Sequence, residues 1–175
     1  MSLEDRLGYV ERELETLRQT YRLNYASGVG FFFGIAARVS RSTNQTLSGV
    51  EPVGYTPISF DLVTIDTDGF FSMVAPTQLT CRTPGVYLAA GTVRFAANAT
   101  GTRLAKIRQN ASTDVGYDHR SNLGAAKSTT VVPLALVELV VGDYLELLAW
   151  QDSGGDLAVQ RFSDYTPLFQ IAKVA

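Results

Sequence analysis

Cysteine, histidine and tryptophan occur once each, as Cys81, His119 and Trp150. One cysteine excludes an intrachain disulfide framework and a cysteine-rich zinc site. One histidine excludes a multi-histidine metal centre and leaves a histidine-dependent active site with a single candidate. Charge is also scarce. Only 18% of residues carry it, and neither sign dominates, with 15 Lys and Arg against 17 Asp and Glu. A chain so close to neutral lacks the basic field of a nucleic-acid binder and the polybasic cluster of a membrane anchor. The longest apolar stretches fall far short of a bilayer span. Met1–Arg6 is charged, without the apolar core of a secretion signal. What remains is a 46% apolar chain of 175 residues with 15 glycines. That composition is globular and leans toward β structure, and the length fits one domain plus an appendage.

The few charges are unevenly placed. Nine of the first 25 residues are charged, against 23 of the remaining 150. Ala26-Ser27-Gly28 marks the change, which divides the chain into segments 1–25 and 26–175. In the first segment Leu3, Leu7, Val10, Leu14, Leu17 and Tyr21 repeat at alternating spacings of four and three, a heptad seam. In a parallel pairing Arg6 faces Glu11 of a neighbouring copy, and Glu13 faces Arg18. Both pairs are opposite in sign, although each exposed pair contributes only ~0.5 kcal/mol. The pattern predicts a short parallel coiled-coil stalk. An amphipathic helix packed on its own domain is the alternative.

Residues 26–175 read as all-β. About ten short apolar or alternating runs are separated by turn residues: Phe31–Val39, Ile58–Leu62, Gly69–Met73, Gln78–Cys81, Val86–Ala96, Arg103–Gln109, Thr129–Val140, Tyr144–Gln151, Leu157–Arg161 and Leu168–Val174. In Val86–Phe95 one face carries Tyr87, Ala89, Gly91, Val93 and Phe95, while the other starts apolar and ends with Thr92 and Arg94. Such a strand belongs at the centre of a two-sheet sandwich of jelly-roll type.

The order of pieces within this segment carries a resemblance. Phe60-Asp61, Asp68-Gly69-Phe70-Phe71, Leu79-Thr80-Cys81 and Pro84-Gly85-Val86-Tyr87 are followed by Val141-Gly142-Asp143-Tyr144-Leu145-Glu146-Leu147, then by Tyr165 and Leu168-Phe169. Together they resemble C1q/TNF-like domains. The turn Ala97–Arg103 and the stretch Lys106–Asn110 resemble the version found in tailed-phage fibre and minor tail proteins. The resemblance implies a ten-stranded jelly roll, assembly as a homotrimer, and a recognition module rather than an enzyme. Tyr87, Phe95, Trp150, Phe169 and Ile171 are then candidates for burial inside the sandwich and between subunits. For Trp150 an ordinary core position and a ligand-facing one both stay open.

Little in the chain points to catalysis. His119 lies in Tyr117-Asp118-His119-Arg120 with no Gly-x-Ser-x-Gly nucleophile elbow elsewhere. Asp66 and Asp68, and Asp152 and Asp156, flank glycine turns. They read as turn formers, with Ca²⁺ the alternative that some C1q-like domains realise; no EF-hand spacing is present and no other cofactor or metal is expected. Cys81 reads as a buried structural thiol. The polar stretch Gln109–Thr129 reads as a long loop, either a connector or a ligand site. Its Tyr117, His119, Arg120 and Asn122 suit carbohydrate. The expected protein is a homotrimeric phage virion appendage assembled in the host cytoplasm. Its stalk would bind other virion proteins and its head a host-surface glycan. A capsid-decorating protein and a bacterial C1q-like lectin are the alternatives.

Overall fold

A computed structural model describes residues 34–49, 54–121, 127–163 and 166–175. The heptad seam with its ion pairs, Asn122 and Tyr165 lie outside the described residues. Among the described residues the chain is all β, with thirteen strands in two sheets.

The larger sheet is built on β6 (Gly85–Phe95). On one side β6 pairs first with β10 (Leu134–Leu139) and then with β9 (Thr129–Val131). On the other it pairs with β13 (Leu168–Lys173) and, at its end, with β12 (Leu157–Val159). Outward from these lie β1 (Ala36–Ser40), β4 (Leu62–Asp66) and β2 (Gln45–Leu47). The smaller sheet is built on β11 (Tyr144–Gln151). β3 (Thr56–Pro57) and β5 (Gln78–Thr80) share one side of β11, while β7 (Thr102–Gln109) and then β8 (Thr113–Ser121) continue from the other. Every pairing is antiparallel.

Alternation places the core between the sheets. Tyr87, Ala89, Val93 and Phe95 point inward from β6, and Phe169 and Ile171 from β13; all are buried. From the smaller sheet they meet Ala105, Ile107, Leu145, Leu147 and Ala149. Phe60 stacks on Phe169 at 6.1 Å, and Phe70 meets Tyr87 edge-on at 5.8 Å. Gly91 lets the sheets close, because a Cβ there would lie 2.4 Å from the Leu147 side chain.

Three expectations are corrected. Gln109–Thr129 is not a long loop. Asn110, Ala111 and Ser112 form a three-residue connection, with Asn110 and Ala111 at positive φ and Ser112 N–H donating to the Gln109 carbonyl (3.1 Å), and the chain returns as β8. Gly69–Met73 is not a strand; it contributes one bridge, Phe71 to Leu79. The second predicted strand, Ile58–Leu62, is not one element: residues 58–61 lie between β3 and β4, and Leu62 opens β4.

Pro133 explains why Thr129–Val140 is two strands. Proline has no N–H, so the ladder breaks there, and Gly91 N–H donates to the Pro133 carbonyl (3.0 Å). The break leaves Val132 N–H to Asp118 Oδ2 of β8 (2.8 Å). Gly116 lets β8 lie against β10, since a Cβ would come within 2.3 Å of the Leu134 carbonyl oxygen. Edge strand β8 of the smaller sheet thus packs against the larger one.

Candidate functional site

Two outer faces emerge from this register, and they differ in chemistry. On the larger sheet, Ala36, Ala172, Leu88 and Leu136 lie in one row across β1, β13, β6 and β10. Arg38, Gln170, Ala90 and Leu134 form the next row. Leu88, Leu134 and Leu136 are 42%, 58% and 67% exposed. Large aliphatic side chains side by side on a sheet face normally lie against something. Val86 and Ala90 continue the apolar strip along β6, and Arg94 ends it, its guanidinium 4.0 Å from the centre of the Phe162 ring.

The outer face of the smaller sheet is aromatic instead. Thr56 pairs with Ala149, so Tyr55 falls beside Trp150, with ring centres 6.4 Å apart. Trp150 pairs with Leu104, and Leu104 with His119. Tyr55, Trp150, Leu104 and His119 therefore form one row across four strands. In the next row Leu148 pairs with Lys106, and Lys106 with Tyr117. Tyr117 is 73% exposed and Tyr55 43%.

The charges beneath this face are matched. Lys106 is buried, with Nζ 3.4 Å from the centre of the Tyr55 ring and 2.8 Å from Asp114 Oδ2. Arg108 Nε donates to Asp114 Oδ1, also at 2.8 Å. Burial raises the pKa of the Asp114 carboxyl, but the bonds from Arg108 and Lys106 outweigh it and hold the group below the usual range. Glu146 accepts from the Thr77 hydroxyl (2.9 Å).

The ligand residues expected from the sequence are thus divided. Tyr117 and His119 share the aromatic face. Arg120 pairs with Arg103 on the opposite face of the strand, and its Nε and Nη2 both donate to Asp118 Oδ2 at 3.1 Å. Tyr87, Phe95, Phe169 and Ile171 sit inside the sandwich. Trp150 does not: Leu145, Leu147 and Ala149 point inward, so Trp150 points out and is partly exposed. Sequence reasoning missed Tyr55 and Lys106. Tyr55 precedes a two-residue strand with no period to read. Lys106 alternates with Ala105 and Ile107, and that alternation was the available signal.

Two of the four aspartates at the glycine turns bind backbone. Asp66 accepts from Phe70 N–H (2.9 Å) and Phe71 N–H (3.1 Å), and Asp152 accepts from Thr102 N–H. Among the described residues no three His, Cys, Asp or Glu side chains gather to hold a metal ion.

No family model matches the chain, and no curated protein matches it. Solved structures do. The globular domain of zebrafish complement 1qA protein is 18% identical over 81% of this chain and 98% of its own, with a TM-score of 0.55. Eiger TNF from S. frugiperda is 16% identical over 81% of this chain and 93% of its own, with a TM-score of 0.59. Murine APRIL at pH 5.0 is 11% identical over 79% of this chain and 98% of its own, with a TM-score of 0.57. The chain has the jelly-roll fold of C1q and TNF domains.

Proposed function

We propose that this protein is a homotrimeric phage virion appendage whose C1q/TNF-like head recognises a host-surface glycan. The observation that carries the reading is the apolar outer face of the larger sheet. Leu88, Leu134 and Leu136 are about half exposed, so burying them against two other copies would contribute about 1–1.5 kcal/mol per leucine. A cyclic assembly uses such a face without leaving an open end. The predicted parallel stalk agrees with it, because it needs chains that point the same way. Three identical heads then bind by avidity, so each site can be weak. The fold and the absence of a marked nucleophile favour a binding module over an enzyme. The likeness of Ala97–Arg103 and Lys106–Asn110 to tail-protein turns supports the virion setting.

Antibody labelling of particles by electron microscopy tests the setting. Label at the tail tip or on fibres is the expected result. Label over the capsid shell supports the decorating-protein alternative, and unlabelled particles contradict both.

A further inference from the structure

We propose that the outer face of the smaller sheet, formed by Tyr55, Trp150, Tyr117 and His119, is a binding platform for an uncharged glycan chain. The proposal rests on reading the domain as a recognition head. It moves the site from a loop to the flank of the sandwich and fixes the class of sugar.

Geometry comes first. The row Tyr55–Trp150–Leu104–His119 crosses three strand spacings, or about 14 Å. That length suits a short oligosaccharide. Tyr117 stands two residues from His119 on the same strand face. Aromatic faces pack against the C–H face of a pyranose, and phenol and imidazole groups at their edges hydrogen-bond to its hydroxyls. These side chains stand on or beside paired strands, and Tyr55 is held between Trp150 and Lys106. The platform therefore loses little entropy on binding.

Charge selects the ligand. Lys106 and Arg108 both spend their contacts on Asp114, and Glu146 is bonded to Thr77. Asp114 and Glu146 already balance Lys106 and Arg108, so this face offers an anionic sugar no net opposite charge. A neutral one needs only the rings and the hydroxyl partners. A protein partner wants an apolar core to its contact. Aromatic rings also mark protein contacts, but here Leu148 is buried beneath the face, and the exposed leucines Leu88, Leu134 and Leu136 lie on the other sheet.

The chain supplies its own probe, since Trp150 is its one tryptophan. The full-length protein is titrated with neutral oligosaccharides of glucose, galactose, mannose and N-acetylglucosamine, and with a heparin fragment, while tryptophan emission is followed. At least one neutral series is expected to give a saturable change, and heparin none. Tyr117→Ala, at an exposed position, should weaken the response about tenfold, whereas Arg120→Ala should leave it unchanged. No response to any neutral series, an equal response to heparin, or an unchanged response in Tyr117→Ala overturns the platform.

Host-cell adhesion separates this proposal from the reading beneath it. If the protein adheres and Tyr117→Ala adheres equally well, the head reading stands and the platform falls. If protease treatment of the cells abolishes adhesion while periodate oxidation of their sugars leaves it intact, the partner is a protein and the platform falls. If Trp150 responds to sugar while no adhesion occurs, the platform stands and the head reading falls.

Discussion

Cys81 and Arg103 show how burial acts on single side chains here. Cys81 is fully buried. Burial pushes its thiol pKa up, with Tyr87 beside it pushed up to about 12, mainly by the same cause. The native protein should therefore resist a thiol reagent, and one equivalent should react after unfolding; fast labelling of the native state would contradict a buried thiol. Arg103 is also fully buried. Its Nη1 donates to the Thr102 carbonyl at 2.9 Å, while Nε and Nη2 have no hydrogen-bond partner among the described residues. Burial lowers its pKa. A buried cation with two unpaired nitrogens costs stability, so Arg103→Met should keep or raise Tm, by as much as ~5 °C. A clear fall in Tm would mean that the guanidinium contributes more than the described contacts show. Gly116→Ala should act in the opposite direction, since its Cβ meets backbone. A loss of about 1–3 kcal/mol in denaturant unfolding is expected.

At the scale of elements, Asp143 joins two turns. Its carboxylate accepts from Val140 N–H (3.0 Å), Asn110 Nδ2 (2.8 Å) and Gln109 Nε2 (3.1 Å). The β7–β8 turn is thereby tied to the β10–β11 turn. The Val140 N–H, first, and the Asn110 amide hold this carboxyl below the usual range. A carboxyl lowered on folding contributes stability that is present above its unfolded pKa and is lost as pH falls through the folded value. Tm should therefore be flat from neutral pH down to about 5 and drop below about 4. Asp143→Asn should lower Tm at pH 7 and flatten the acid drop; an unchanged acid profile would remove Asp143 from the account.

The strands of the core were the legible ones. β6 alternates in burial along most of its length, and β11 is a nearly continuous run buried at six of its eight positions; the ends of both, and of β7 and β13, fall within a residue or so of the predicted ones. β2 has three residues, and β4 has exposed side chains at four of its five positions, so neither carries a burial signal. β8 is an edge strand with polar groups on both faces, and polarity alone resembles a loop. Tyr117 and His119 thus read as loop residues from the sequence, whereas the structure places them on one face of a strand. For Trp150 the core and ligand-facing positions both stay open in the sequence, and the parity of Leu145, Leu147 and Ala149 turns it outward.

For the whole molecule, the proposed assembly and platform give the two sheets different tasks. The outer face of the larger one is aliphatic and meets other copies under the proposed assembly. That of the smaller one is aromatic and charge-balanced and stays open to a ligand. The scarcity of charge outside the first 25 residues follows from this division, since the larger sheet is apolar on both faces along much of β6. Leu136 is the most exposed leucine of the aliphatic face, so a charge there should break the assembly while sparing the fold of each protomer. The direct measurement is molar mass by light scattering, on the full chain and on Leu136→Glu, with circular dichroism to confirm that both are folded. The parent should scatter at three times the 19.0 kDa chain mass, and Leu136→Glu at one chain mass. A parent that stays monomeric at high concentration, or a Leu136→Glu variant that still forms trimers, would contradict the assembly on which the recognition reading rests.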